Sequence, residues 1–197
     1  MSVASAAVIA EAPQAEDDDA LMARVTRRDA AAFRVIVEAH SHALFRIAWR
    51  MIGDASEAED VAQEALTRLW QHAGRWEAGS SGIAAWLTRV TMNQCLDRLR
   101  RRRFASDEAV PERIDDAPLA PETIVAAQAR AAVVAAIAAL PDRQRAAIVL
   151  TYYEDHPNAV AAGMLEMNVK AFESLLLRAR GALKRALASD ATIGDDR

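Results

Sequence analysis

NAVAAGMLEMNVKAFESLLLRARGALKRAL, residues 158–187, carries the pattern that decides the fold. Pro157 opens a short apolar helix, Glu166 to Asn168 make a turn, and VKAFESLLLRARGALKRAL follows as a longer basic helix. On that helix Val169, Phe172, Leu176, Ala179 and Leu183 recur at three-and-four spacing, so this stripe faces a core. Lys170, Ser174, Arg178 and Arg185 take the opposite side, with small Gly181 among them. A short helix, a tight turn and a basic second helix are the order of a helix-turn-helix. Its cationic face of small residues fits the major groove and its phosphates. A solvated amphipathic helix has the same pattern, and this segment alone leaves both readings open.

Working back from it, Pro141 and Asp142 open DRQRAAIVLTYYED, and Pro121 sits in the first turn of ETIVAAQARAAVVAAIAAL. Before these runs ASDEAVPERIDDAPLAP (105–121), with five acids, one arginine and three prolines, which reads as a linker. Four helices precede the linker. The first carries Leu21, Met22 and Val25, and Asp29 caps the second. The second buries Phe33, Ile36, Val37, His40, Leu44, Ile47, Ala48 and Met51 and ends at Gly53. The third starts at Asp54 or Ser56 and buries Ala58, Val61, Ala65, Leu69 and, at the edge of the stripe, Trp70. The fourth runs from Ile83 to Arg103.

The expected fold is therefore all-α: two small helical domains joined by an acidic, proline-containing linker, the second domain a helix-turn-helix. The boundaries are a disordered tail over 1–19, a first domain over 20–104, the linker over 105–121, a second domain over 122–187 and a tail over 188–197. Apolar residues make up 52% of the 197 and only seven are glycine, which favours a core-forming helical chain over a disordered one. The lone cysteine, Cys95, permits no internal disulfide, and the cytosol is the simplest home. No run of about 18 apolar residues is present to span a membrane, and VASAAVIA near the start lacks the basic flank of a signal peptide.

Net charge is -4, yet WLTRVTMNQCLDRLRRRR (86–103) ends with five arginines in six positions, Arg98 and Arg100 to Arg103. Arginines at a helix C-terminus complement its dipole, but five so close repel one another. With Arg89 and Asn93 on the face of Trp86, a nucleic-acid surface is the sharper reading, Trp86 itself serving either the core or base stacking. The third helix has the opposite sign: Asp60, Gln63 and Glu64 continue an acidic outward face beyond the turn where the dipole alone accounts for acids, which fits an arginine-rich protein partner. Acids and arginines are thus expected on separate surfaces. None of the four histidines falls in HExxH or ExxH, and no GxGxxG or GK[ST] loop occurs, so no catalytic site, cofactor, metal or small-molecule substrate is expected. Cys95 reads as a small buried hydrophobe.

Taken together, these stretches resemble an extracytoplasmic-function RNA polymerase sigma factor of the sigma-70 family, over about residues 20 to 187. The resemblance implies a transcription initiation factor, without enzymatic activity, that binds core RNA polymerase and directs it to promoters by their −35 and −10 elements. It implies polymerase contact by Asp60, Gln63 and Glu64, matching a DxxQE-like motif, and −10 reading by Asn93, Asp97 and Arg100. Arg89, Arg98, Arg101, Arg102 and Arg103 would hold the upstream duplex, and loop 74–82 would capture an unstacked base. Lys170, Ser174, Arg178, Arg180 and Arg185 would meet the −35 element. An anti-sigma protein, free or membrane-anchored, would hold the chain in the cytoplasm or at the inner membrane face. The recognition helix departs from the family: KAFESLLLRAR (170–180) has Glu173 and Leu175 where basic residues are common. Every phosphate left without a cation flattens the salt dependence of binding by about 0.9 log units of slope. A stand-alone helix-turn-helix regulator and a protein-only helical adaptor are the rival readings. The first would bind duplex DNA specifically without polymerase, and for the second the arginine run would be incidental.

Overall fold

The computed structural model describes residues 17–78, 82–105 and 124–193. Residues 106–121 of the expected linker, Pro121 among them, and the first 16 residues lie outside the described residues, while Ala105 ends α4. Helices α1 (Asp18–Thr26), α2 (Ala30–Ile52), α3 (Ala55–His72) and α4 (Gly82–Ala105) form the N-terminal unit, with a 3-10 turn at Ala73–Arg75. Helices α5 (Ile124–Ala138), α6 (Asp142–Ile148), α7 (Asn158–Met164) and α8 (Val169–Ile193) form the C-terminal unit. A π turn, Val149–Tyr153, extends α6, and no strand occurs among the described residues.

Local sequence explains the helix ends. Asp29 accepts from the N–H groups of Ala31 at 2.9 Å and Ala32 at 3.3 Å, and Asp54 accepts from Glu57 N–H at 2.8 Å. Gly53 closes α2 at φ 78, a conformation that costs glycine nothing, and its N–H donates to Trp49 O at 2.8 Å. Asn168 caps α8 by accepting from Ala171 N–H at 2.8 Å.

Two cores result. The first gathers Leu21, Met22, Val25, Ile36, Leu44, Leu69, Ile83 and Leu87, with half-buried Trp70, Trp76 and Trp86 against it. The second is shared by both units: Ile47, Met51, Val61, Met92 and Cys95 lie in one cluster with Ile137, Leu140, Ile148, Leu150, Phe172 and Leu176. The units expected as separate modules are packed together.

Three expectations need correction. The acidic tail does not reach Asp19: α1 begins at Asp18, where Asp18 binds Ile83 N–H at the start of α4 and Asp19 binds the Trp76 indole before it. Helix α8 runs to Ile193, well past Leu187. Val169 is 40% exposed, so the buried stripe starts one turn later, at Phe172. Leu175, the departure noted at a position where the resemblance implies a cation, is buried in the shared core, and its side chain contributes packing in place of charge.

Candidate polymerase and promoter interfaces

The amphipathic pattern of α3 turns Asp60 and Gln63 to solvent while Val61, Ala62 and Ala65 fill the core. Glu64, one step along the same face, is half-buried and holds Arg68, Nε to Oε1 at 3.1 Å. Asp60, Gln63 and Glu64 are thus brought together as one outward patch.

On α4, Arg89, Asn93, Asp97 and Arg100 follow one another at helical spacing and share one face with Trp86. Arg89 and Arg100 are exposed, Asn93 and Asp97 half-buried, and Arg100 pairs with Asp97 at 3.0 Å. Thr88, Thr91, Met92 and Cys95 take the buried side. Cys95 is fully enclosed, and burial pushes its thiol up to about 12.

The arginine run does not stand apart from the acids. Arg98 lies 3.6 Å from Glu64, Arg102 donates to Glu57, and Arg103 donates to Asp142 of the C-terminal unit. The acids of α3 and the arginines of α4 line opposite walls of one cleft, with buried Gln94 between them. The expectation of separate surfaces is corrected on this point. Mutual repulsion within the run is relieved by carboxylates from the neighbouring helix. Exposed Arg101 has no carboxylate partner among the described residues.

Loop 74–82, of which residues 79–81 lie outside the described residues, is held at both ends by α1. Trp76 Nε1 donates to Asp19 at 2.9 Å, and Ile83 N–H donates to Asp18 at 2.8 Å. Thr26 Oγ1 donates to Ala73 O at 3.0 Å just before it.

On α8, Lys170, Ser174, Arg178 and Arg185 are all exposed on one face, and Arg180 is exposed at its flank. Ser174 Oγ donates to Lys170 O at 3.0 Å, keeping the hydroxyl close to the helix. Leu177, which the sequence did not single out, is 70% exposed at the centre of this face. The signal was available: it stands seven residues after Lys170, on the polar side of the helical wheel. Arg145, also missed, is buried where the two units meet.

Comparison with known proteins accounts for both halves. The Sigma-70 region 2 family model matches residues 36–105 and the Sigma-70, region 4 model matches residues 130–183. The ECF RNA polymerase sigma factor SigL of Mycobacterium tuberculosis is 35% identical over 161 residues, 76% of this chain and 88% of that protein. The ECF RNA polymerase sigma factor SigW of Bacillus subtilis is 26% identical over 175 residues, 83% and 93% of the two chains. Among solved structures, CnrH in complex with the cytosolic domain of CnrY superposes with a TM-score of 0.66 at 26% identity, covering 89% of this chain and 99% of that one. The chain belongs to the extracytoplasmic-function RNA polymerase sigma factors of the sigma-70 family.

Proposed function

We propose that the family's work, binding core RNA polymerase and directing it to promoters, is carried here by three surfaces. Asp60, Gln63 and Glu64 on α3 meet a basic element of core polymerase. Arg89, Asn93, Asp97, Arg98 and Arg100 to Arg103 on α4 meet the −10 element and its upstream phosphates, with loop 74–82 receiving an unstacked base. Lys170, Ser174, Arg178, Arg180 and Arg185 on α8 meet the −35 element.

The observation that carries this reading is that Arg89, Asn93, Asp97 and Arg100 of α4 share one helix face while the carboxylates of α3 project beside the helix. Both −10 reading and polymerase contact then come from one rigid pair of helices. On α8 the exposed Leu177 offers an apolar contact of the kind a thymine methyl makes in the major groove. Melting draws on binding energy alone, and the chain has no enzymatic activity of its own. It works in the cytoplasm, where an anti-sigma protein restrains it; the solved complex of CnrH with the cytosolic domain of CnrY supports a regulatory protein partner.

Run-off transcription with purified core polymerase tests this. Asp60→Arg with Glu64→Arg should abolish co-elution with polymerase. Arg100→Ala with Arg101→Ala should leave co-elution intact and abolish promoter opening. Unimpaired opening by the second variant would remove α4 from the promoter.

A further inference from the structure

The cleft between α3 and α4 encloses about 570 Å³, within the range of small-molecule sites, and part of its lining is an amide without partners. Gln94 is only 6% exposed, and neither its Nε2 nor its Oε1 has a hydrogen-bond partner among the described residues. A buried amide left unpaired carries the desolvation penalty of a donor and of an acceptor, so packing alone does not account for glutamine here.

The walls fix what else a ligand would meet. Arg98 lies 3.6 Å from Glu64 and Arg102 donates to Glu57, so α3 and α4 run antiparallel. Asp60, between those two acids, therefore stands across the cleft from Arg101, between those two arginines. The pairs at Glu57 and Glu64, with Arg68 also on Glu64 at 2.5 Å and Arg100 on Asp97 at 3.0 Å, neutralise the other acids of the lining. Asp60 and Arg101 are exposed, and neither has an ion-pair partner among the described residues. Gln94 and Arg101 are two turns apart on α4, roughly 10 Å along the axis. At one end the cleft thus presents a free amide, and at the other a free carboxylate facing a free guanidinium.

We propose that this cleft binds a small zwitterion with an amide tail, an α-amino acid of the glutamine class. The ligand's carboxamide oxygen accepts from Gln94 Nε2 and its NH2 donates to Gln94 Oε1, a reciprocal pairing that satisfies both ends of the buried amide. Its ammonium meets Asp60 and its carboxylate meets the Arg101 guanidinium. The flexible Arg101 side chain takes up the difference between the ligand's length and the two-turn interval. Glutamate in the same pose sets an acceptor against Oε1 and leaves it unsatisfied, so the amide is the basis of selectivity. Asp60 and Arg101 also belong to surfaces proposed above, but the site rests on the cleft and its unpaired amide, not on those roles.

Isothermal titration calorimetry of the free, full chain with L-glutamine tests this, with neither polymerase nor DNA present. Saturable one-to-one binding is expected. L-glutamate, which lacks the amide donors, and N-acetyl-L-glutamine, which lacks the ammonium, should each bind about ten- to a hundredfold more weakly. Gln94→Leu should abolish binding and leave the melting temperature unchanged or higher, because it removes an unsatisfied buried amide. Should that variant unfold by circular dichroism, Asp60→Asn with Arg101→Gln decides the matter: both positions are exposed, and losing both charges should weaken binding by about tenfold or more. The absence of saturable heat with L-glutamine overturns the proposal. So does equal affinity for L-glutamate, or a folded Gln94→Leu chain that binds as the unmodified one does. A chain that co-elutes with polymerase yet takes up no glutamine sinks only this site, and one that binds glutamine yet fails to co-elute sinks only the proposed function.

Discussion

Gly82 is where a single methyl group should do the most damage for its size. It stands at φ 85, the left-handed region that an L side chain enters at a cost of about 1–2 kcal/mol. A Cβ there would lie 2.9 Å from Asp18 Oδ2, the oxygen that accepts from Ile83 N–H at 2.8 Å. Asp18 must then swing away and surrender a charge-assisted hydrogen bond whose net worth is about 1.5–3 kcal/mol. Because Asp18 is half-buried and water replaces part of that bond, the lower end applies, giving about 2–4 kcal/mol for Gly82→Ala in total. Urea denaturation followed by circular dichroism measures it. The two causes separate in a double-mutant cycle with Asp18→Ala: once the carboxylate is gone the clash is gone, and Gly82→Ala should cost only the backbone strain. A cost below about 1 kcal/mol in the unmodified chain would refute the strain argument. An equal cost in both backgrounds would refute the Asp18 contact. The same variant should impair promoter opening more than polymerase binding, since it displaces loop 74–82 and leaves α3 alone.

Other outcomes follow from burial. Cys95 should ignore a thiol reagent at mildly alkaline pH in the folded chain, because enclosure raises its thiol to about 12, and should react fully in denaturant; rapid native labelling would contradict its packing. Burial lowers His40 and His156 below their ordinary 6.5, with Asp18 and Asp155 opposing it. A lowered folded-state value means stability that is present above 6.5 and lost as pH falls through the folded-state value. His156→Gln should therefore be less sensitive to acid than the unmodified chain as pH falls below 6.5, and identical acid limbs in the two chains would rule this out.

The helices were legible because their signals are local. The apolar stripes of α2 and α3, the caps Asp29 and Asp54 and the stop at Gly53 depend on neighbours within a few residues, and they determined the all-α fold and both units. The placement of the three proposed faces on their helices was legible for the same reason, since helical spacing alone places Asp60 beside Glu64 and Asn93 beside Asp97. What each charge touches was not. Arg102 finds Glu57 45 residues away, Arg103 finds Asp142 39 away and Arg145 reaches Met51 94 away. Electrostatic partners and the carbonyls at helix ends are assigned by packing between helices, which leaves no period in the sequence. Composition and spacing thus determined which surfaces exist. Only the tertiary structure decided that acids and arginines share a cleft, that Asp18 and Asp19 brace a loop more than 50 residues on, and that the two units close on one another.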